Sequence, residues 1–189
     1  MKNSIIIHGT CSEKEYFSDN YPSLSNSHWL PWLQKQLLIN NIFTQTPEMP
    51  NAYLPDYEKW KNEFERFNVN GNSILIGHSC GGGFLIRYLS ENKVSIDKLV
   101  LVAPWLDPAR EKTTDFFDFT IDFNIVKRIK EIHLLISSGD DKDILDSVEI
   151  IKNNISDIKI HQFSDLGHFC YSDMKTDKFP ELLSLILKQ

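Results

Sequence analysis

The chain has 189 residues, 41% hydrophobic and 24% charged, which is the usage of a single globular domain spanning residues 1–189. A chain this long buries roughly 70% of its unfolded surface and needs no disulfide or metal staple. Its net charge of −6 argues against nucleic acid or anionic membrane as main partners, since both select a basic footprint. No apolar run approaches the ~18 residues of a membrane span. The three isoleucines after Met1-Lys2-Asn3-Ser4 are too few for a signal-peptide core, so the expected location is the cytoplasm. Cys11, Cys80 and Cys170 have neither zinc-ligand nor framework spacing and are expected as free thiols.

Ser4 to His8 reads as a strand buried on both sides, because it shows no polar alternation. Ser12 to Ser27 is polar and aromatic and reads as a long loop. Trp29, Leu30, Leu33, Leu37 and Leu38 recur at helical spacing, with Pro31 in the tolerated first turn. Ile42 to Thr46 is a second strand. Prolines 47, 50 and 55 then punctuate a loop, and Tyr57, Trp60, Phe64 and Phe67 mark a helix face. Ser73 to Gly77 is a third strand and Lys98 to Ala103 a fourth, separated by a helix that begins after a run of glycines. Glu131 to Ser137 and Ile158 to Phe163 complete six strands, with helices at Ile144 to Asn153 and Lys178 to Leu187. Strands alternating with helices predict an α/β fold, a mostly parallel sheet covered on both faces. Trp105 to Phe123, rich in Asp and Phe, interrupts the alternation and is a candidate lid.

Gly77-His78-Ser79-Cys80-Gly81 fits G-x-S-x-G, with a strand before it and a helix after it. In that setting a serine sits on a strained turn, and a Cβ at the flanking glycines would collide with it. Ser79 is therefore the candidate nucleophile. The competing reading, a glycine loop around a phosphate, lacks G-K-[ST] and a spaced G-x-G-x-x-G. A serine nucleophile needs a base, and the base needs an orienting carboxylate. Of the later histidines, His133 and His161 fall inside strands, where packing is the simpler account. His168 follows the last strand in a loop, where such a sheet places its chemistry. Asp140, Asp141 and Asp143 follow the fifth strand, and the residues alone do not choose among them. An oxyanion needs two fixed N–H donors. The Cys80 backbone supplies one and the loop after the first strand the other, with Thr10 the choice and Cys11 next. The aromatics Tyr16, Phe17, Tyr21, Trp29, Trp105, Phe116 and Phe117 are candidates for an acyl pocket, each competing with plain core packing.

The pieces Ile5-Ile6-Ile7-His8-Gly9, His28-Trp29-Leu30-Pro31-Trp32-Leu33, Ile76-Gly77-His78-Ser79-Cys80-Gly81-Gly82 and Leu166-Gly167-His168-Phe169 run through most of the chain. They resemble the α/β-hydrolase superfamily, and within it the YdeN-like small serine hydrolases, the group that includes retinoblastoma-binding protein nine. The resemblance implies a compact α/β-hydrolase core of about six strands with little or no cap. It also implies a Ser-Asp-His triad and hydrolysis of small acyl esters, with no cofactor or metal. Its register selects Asp141 as the acid, four residues before Leu145 where relatives carry proline; a one-residue shift of the turn would substitute Asp140. The L-x-C-x-E segment tied to retinoblastoma binding is absent at Gly9-Thr10-Cys11-Ser12-Glu13, so that partner is not carried over. The expected partner is a small acyl substrate. A thioesterase, amidase, acyltransferase or lyase would use the same triad, and a binding protein that kept the fold is the non-catalytic alternative.

Overall fold

The computed structural model describes residues 2–113 and 115–188. Its centre is one six-stranded sheet in the order β2-β1-β3-β4-β5-β6. The strands are β1 (Asn3–Ile7), β2 (Phe43–Gln45), β3 (Ser73–His78), β4 (Ile96–Val102), β5 (Ile129–Ser137) and β6 (Ile158–Phe163). Every pairing is parallel. Ile5, Ile6 and Ile7 of β1 and Ile74, Leu75 and Ile76 of β3 are wholly buried, as expected for strands covered on both faces. At the edge, β6 has no buried residue and mixes half-buried with exposed positions.

The helices are α1 (Glu13–Tyr16), α2 (Leu30–Ile39), α3 (Tyr57–Phe64), α4 (Cys80–Glu91), α5 (Lys142–Asn154), α6 (Tyr171–Met174) and α7 (Pro180–Leu187). Trp29 and Phe179, which cap α2 and α7, pack edge to face. Phe64 of α3 packs against Phe84 and Tyr88 of α4. From β1 the chain first moves outward to β2 and then returns past β1 to β3. The carboxyl ends of β1 and β3 therefore flank the point where strand order reverses, the position where open α/β sheets form a ligand crevice.

Two expectations change. Residues 12–27 are not a bare loop: Ser12 caps α1 by a reciprocal capping box with Glu15, and a 3-10 turn forms at Leu24–Asn26. The segment considered as a lid is anchored in the core by Trp105, Leu106, Phe116 and Phe117, while residues 109–112 are exposed. Phe116 and Phe117 are buried, with Phe116 set edge-on against Trp60. Arg87 of α4 donates to the Asp115 and Phe116 carbonyls at 2.6 and 2.8 Å. The buried Asp107 carboxylate accepts from the backbone N–H groups of Glu111, Lys112 and Thr113 and from the Thr113 hydroxyl. Burial alone would raise the Asp107 pKa, but those donors outweigh it and hold it below the ordinary carboxylate value.

Candidate active site

Ser79 closes β3 and caps α4 with φ 54° and ψ −123°, a left-handed backbone that costs a non-glycine residue on the order of 1–3 kcal/mol. The surroundings fix it there. Its N–H donates to the Val102 carbonyl at 2.9 Å, and its carbonyl accepts from Gly82, Gly83 and Trp105. Gly77 and Gly81 make the turn possible. A Cβ on Gly77 would lie 2.6 Å from the Gly81 carbonyl oxygen, and one on Gly81 would lie 2.4 Å from the His8 and Ile7 carbonyl oxygens. The Cys80 N–H begins α4, where backbone donors lack intrahelical partners and the helix dipole favours negative charge. Thr10, from the loop after β1, lines the same cleft as Ser79 and His168.

The carboxylate that meets His168 belongs to Asp140, not Asp141. His168 Nδ1 donates to Asp140 Oδ1 at 3.0 Å, with Oδ2 at 3.2 Å. The reason is the turn after β5. Asp140 closes it through its N–H to the Ser137 carbonyl, and its side chain points inward with 1% exposure. Asp141 takes the next position, the N-cap of α5, with an extended backbone. Its side chain is consequently exposed at the cleft wall, and its N–H donates to Asp140 Oδ1 at 2.8 Å. Asp143 also lines that wall and pairs with Lys112.

Three further residues hold the histidine, and the motif spacing did not single them out. Asp173 of α6 accepts the His168 N–H at 3.0 Å. Ser137 Oγ accepts the Leu166 N–H at 3.2 Å. His78 Nε2 donates to the His168 carbonyl at 2.8 Å. Burial, with His168 and His28 nearby, pushes His78 well below its ordinary pKa, so it is the neutral Nε2–H tautomer. His8 is likewise held neutral by burial; its Nε2 accepts the Met49 N–H and its Nδ1 donates to the Gly9 carbonyl. His133 and His161 lie side by side across β5 and β6, with His133 Nδ1 and His161 Nε2 hydrogen-bonded at 3.0 Å and ring centroids 5.2 Å apart, and line a groove against α7 that excludes Ser79.

Ser79 stands between two spaces. On one side is an open cleft of about 160 Å³ whose walls include Trp105, Lys112 and Asp143. On the other is a neck of about 50 Å³ lined by Thr10, His28, His168 and Cys170. A separate pocket of about 640 Å³, bounded by Tyr16, Tyr21, Leu24 and Cys11, shares Thr10, Leu24, His28 and Cys170 with that neck. Of the aromatics considered for an acyl pocket, only Tyr16, Tyr21 and Trp105 line these spaces. Trp29, Phe116 and Phe117 are core, and Phe17 is exposed beside Tyr16 and Tyr53. Cys80 is buried, whereas Cys11 and Cys170 are partly accessible. Burial, then nearby carboxylates, raises the Cys11 thiol to about 11 and the Cys170 thiol to about 12.

A parallel sheet of this order with a left-handed serine on the turn between β3 and α4 is the α/β-hydrolase architecture. The crystal structure of the ydeN gene product of Bacillus subtilis superposes with a TM-score of 0.82 at 22% identity, covering 98% of this chain and 97% of that one. A YdeN-like protein of Pectobacterium atrosepticum gives 0.65 at 17% identity, over 98% and 89%. Est1E of Butyrivibrio proteoclasticus, solved with ferulic acid, gives 0.64 at 14%, over 98% and 85%. In sequence, YdeN of Bacillus subtilis (strain 168) is 23% identical over 164 residues, 84% of this chain and 86% of its own length. The family model described as serine hydrolase matches residues 20–182. The chain belongs to that serine hydrolase family and is a YdeN-like α/β hydrolase. Among the described residues no helix is long and apolar enough to cross a membrane.

Proposed function

We propose that the protein hydrolyses small carboxyl esters through an acyl-enzyme on Ser79. Ser79 Oγ attacks the ester carbonyl while His168 Nε2 takes its proton; the C–O bond to the alcohol then breaks as the imidazolium returns that proton to the leaving oxygen. Water repeats the sequence on the acyl-enzyme, releasing the acid and restoring Ser79. Asp140 holds the imidazole in the Nδ1–H tautomer, which leaves Nε2 bare to accept. The N–H groups of Cys80 and Thr10 hold the oxyanion. The observation that carries this reading is the buried Asp140 carboxylate on His168 Nδ1, in a cleft shared with the left-handed Ser79. Among the described residues Ser79 Oγ makes no hydrogen bond to the His168 ring, and such contacts commonly tighten only when substrate binds.

A fluorophosphonate probe tests the reading. It is expected to label native protein at Ser79. Ser79→Ala should abolish labelling and nearly all turnover of a p-nitrophenyl ester, with the far-ultraviolet circular dichroism unchanged. Residual activity should be that of oxyanion binding alone, elsewhere ~10³–10⁴ over water. Turnover by Ser79→Ala at the native level would overturn it.

A further inference from the structure

His28 lines both the neck beside Ser79 and the larger pocket. Its backbone is left-handed, φ 58°, which is uncommon for a residue with a ring and persists only where its surroundings fix it. Its Nδ1 accepts the Tyr171 N–H at 3.1 Å. That bond leaves the proton of the neutral ring on Nε2. Burial, with His168 nearby, lowers the pKa of His28, which keeps the ring neutral. Among the described residues Nε2 makes no hydrogen bond, and it is not among the side-chain atoms sealed from solvent. It is thus an oriented, unspent donor, and the spaces its ring borders are the neck beside Ser79 and the pocket beyond.

The two sides of Ser79 differ in chemistry. The open cleft carries Lys112, Asp141 and Asp143 and suits a hydrated leaving group. The larger pocket also carries Glu15 and Glu48 at its wall, but Leu24, Tyr16, Tyr21 and Pro22 give it an apolar surface that suits a carbon chain. We propose that His28 donates its Nε2–H to an oxygen carried on the acyl chain, so that the protein selects oxoacyl or hydroxyacyl esters over plain aliphatic ones. This rests on the Ser79 esterase reading, and it adds a substrate class and a specificity residue to it. A site that holds a donor for an oxygen loses that bond with a plain chain and leaves the donor unpaired, which disfavours the plain substrate.

The test compares p-nitrophenyl pentanoate with its 3-oxo and 4-oxo counterparts, each rate divided by its spontaneous hydrolysis. Native protein should favour at least one oxo ester by roughly tenfold or more in kcat/KM. His28→Phe should erase that preference while leaving pentanoate turnover and fluorophosphonate labelling within a few-fold of native. His28→Gln, which restores an N–H donor, should recover much of the preference. No oxo preference in native protein would overturn the proposal, and so would its survival in His28→Phe. An equal loss on all three esters would also overturn it, placing His28 in the support of the site. The esterase reading stands or falls separately, on labelling and pentanoate turnover by native protein, which a wrong assignment of His28 leaves untouched.

Discussion

Asp140 and Asp141 are adjacent carboxylates with the same intrinsic chemistry, and only the turn separates their roles. Asp140 is buried against His168 Nδ1, whereas Asp141 faces the cleft from the cap of α5. Asparagine at 140 would keep the shape but present an amide to Nδ1, favouring the tautomer in which Nε2 carries the proton and cannot accept one. Asp140→Asn is therefore expected to lower kcat by up to ~10⁴, measured on a p-nitrophenyl ester, with little change in thermal midpoint. Asp141→Asn should stay within a few-fold of native, and the reverse pattern would return the role to Asp141. This is where sequence legibility stopped at the site. Ser79 and His168 were marked by short motifs with a fixed strand or helix beside them. The carboxylate on His168 Nδ1 lies in Gly139-Asp140-Asp141, where a one-residue difference in how the turn closes exchanges an inward side chain for an outward one. Asp173 was hidden for a related reason: its bond to the His168 N–H depends on α6, a single helical turn without a sequence signature.

At the level of elements, the strand–turn–helix unit of β3 and α4 depends on how closely chains pass, and this gives a prediction with an internal control. The Gly81 Cα sits against the carboxyl end of β1; a Cβ there would meet the His8 and Ile7 carbonyl oxygens at 2.4 Å, and that strand end cannot yield without moving Thr10 as well. Gly81→Ala should destabilise by about 1–3 kcal/mol, the usual cost of overpacking, and should suppress fluorophosphonate labelling even in the fraction that folds. Gly71→Ala, where a Cβ meets nothing within 4 Å, should leave both labelling and the urea midpoint near native. Equal tolerance at the two positions would contradict the close approach. Elements were the most legible level. All six strands lie where β-branched runs predicted them, because buried parallel strands are nearly all apolar and stand out from their flanks. The exceptions were elements made by local polar bonds. The capping box of α1 was present as Ser12-x-x-Glu15, a pattern that marks helix starts, but no apolar periodicity follows it. Phe116 and Phe117 suggest a flap because acidic residues surround them; in the fold those acids face outward or cap turns while Phe116 enters the α3–α4 layer and Phe117 packs on Trp105 beside Gly83.

Across the whole molecule the six histidines form two groups: His8, His28, His78 and His168 around the serine, and His133 with His161 on the far strands. Burial is the leading cause that lowers the pKa of His8, His28, His78, His133 and His161, so the fold as a whole is built on neutral imidazoles. In the unfolded chain each returns to near ~6.5. Above that value both states are neutral and the histidines contribute no pH dependence. Below it the unfolded chain takes up protons that the native chain does not, and stability falls as pH falls, until the lowered native values are reached. For the fully enclosed His8 and His78 the slope approaches about 1.4 kcal/mol per pH unit each; His133, whose bond to Glu131 opposes its burial, and the half-buried His28 and His161 contribute less. The carboxylates with lowered pKa, Asp107 and Glu131 among them, act in the same direction but only below about pH 4.5. Urea unfolding followed from pH 8 to 5 should therefore show a flat midpoint down to about 7 and a steep decline from about 6.5, well before any carboxylate titrates. His78→Gln keeps a neutral donor for the His168 carbonyl and removes the titration, so its decline should be shallower than native by about one proton's worth of slope. A native midpoint that stays level from pH 7 to 5 would mean these imidazoles charge as readily in the folded protein as in the unfolded one, and that the tautomers holding the loops around Ser79 are not fixed by burial.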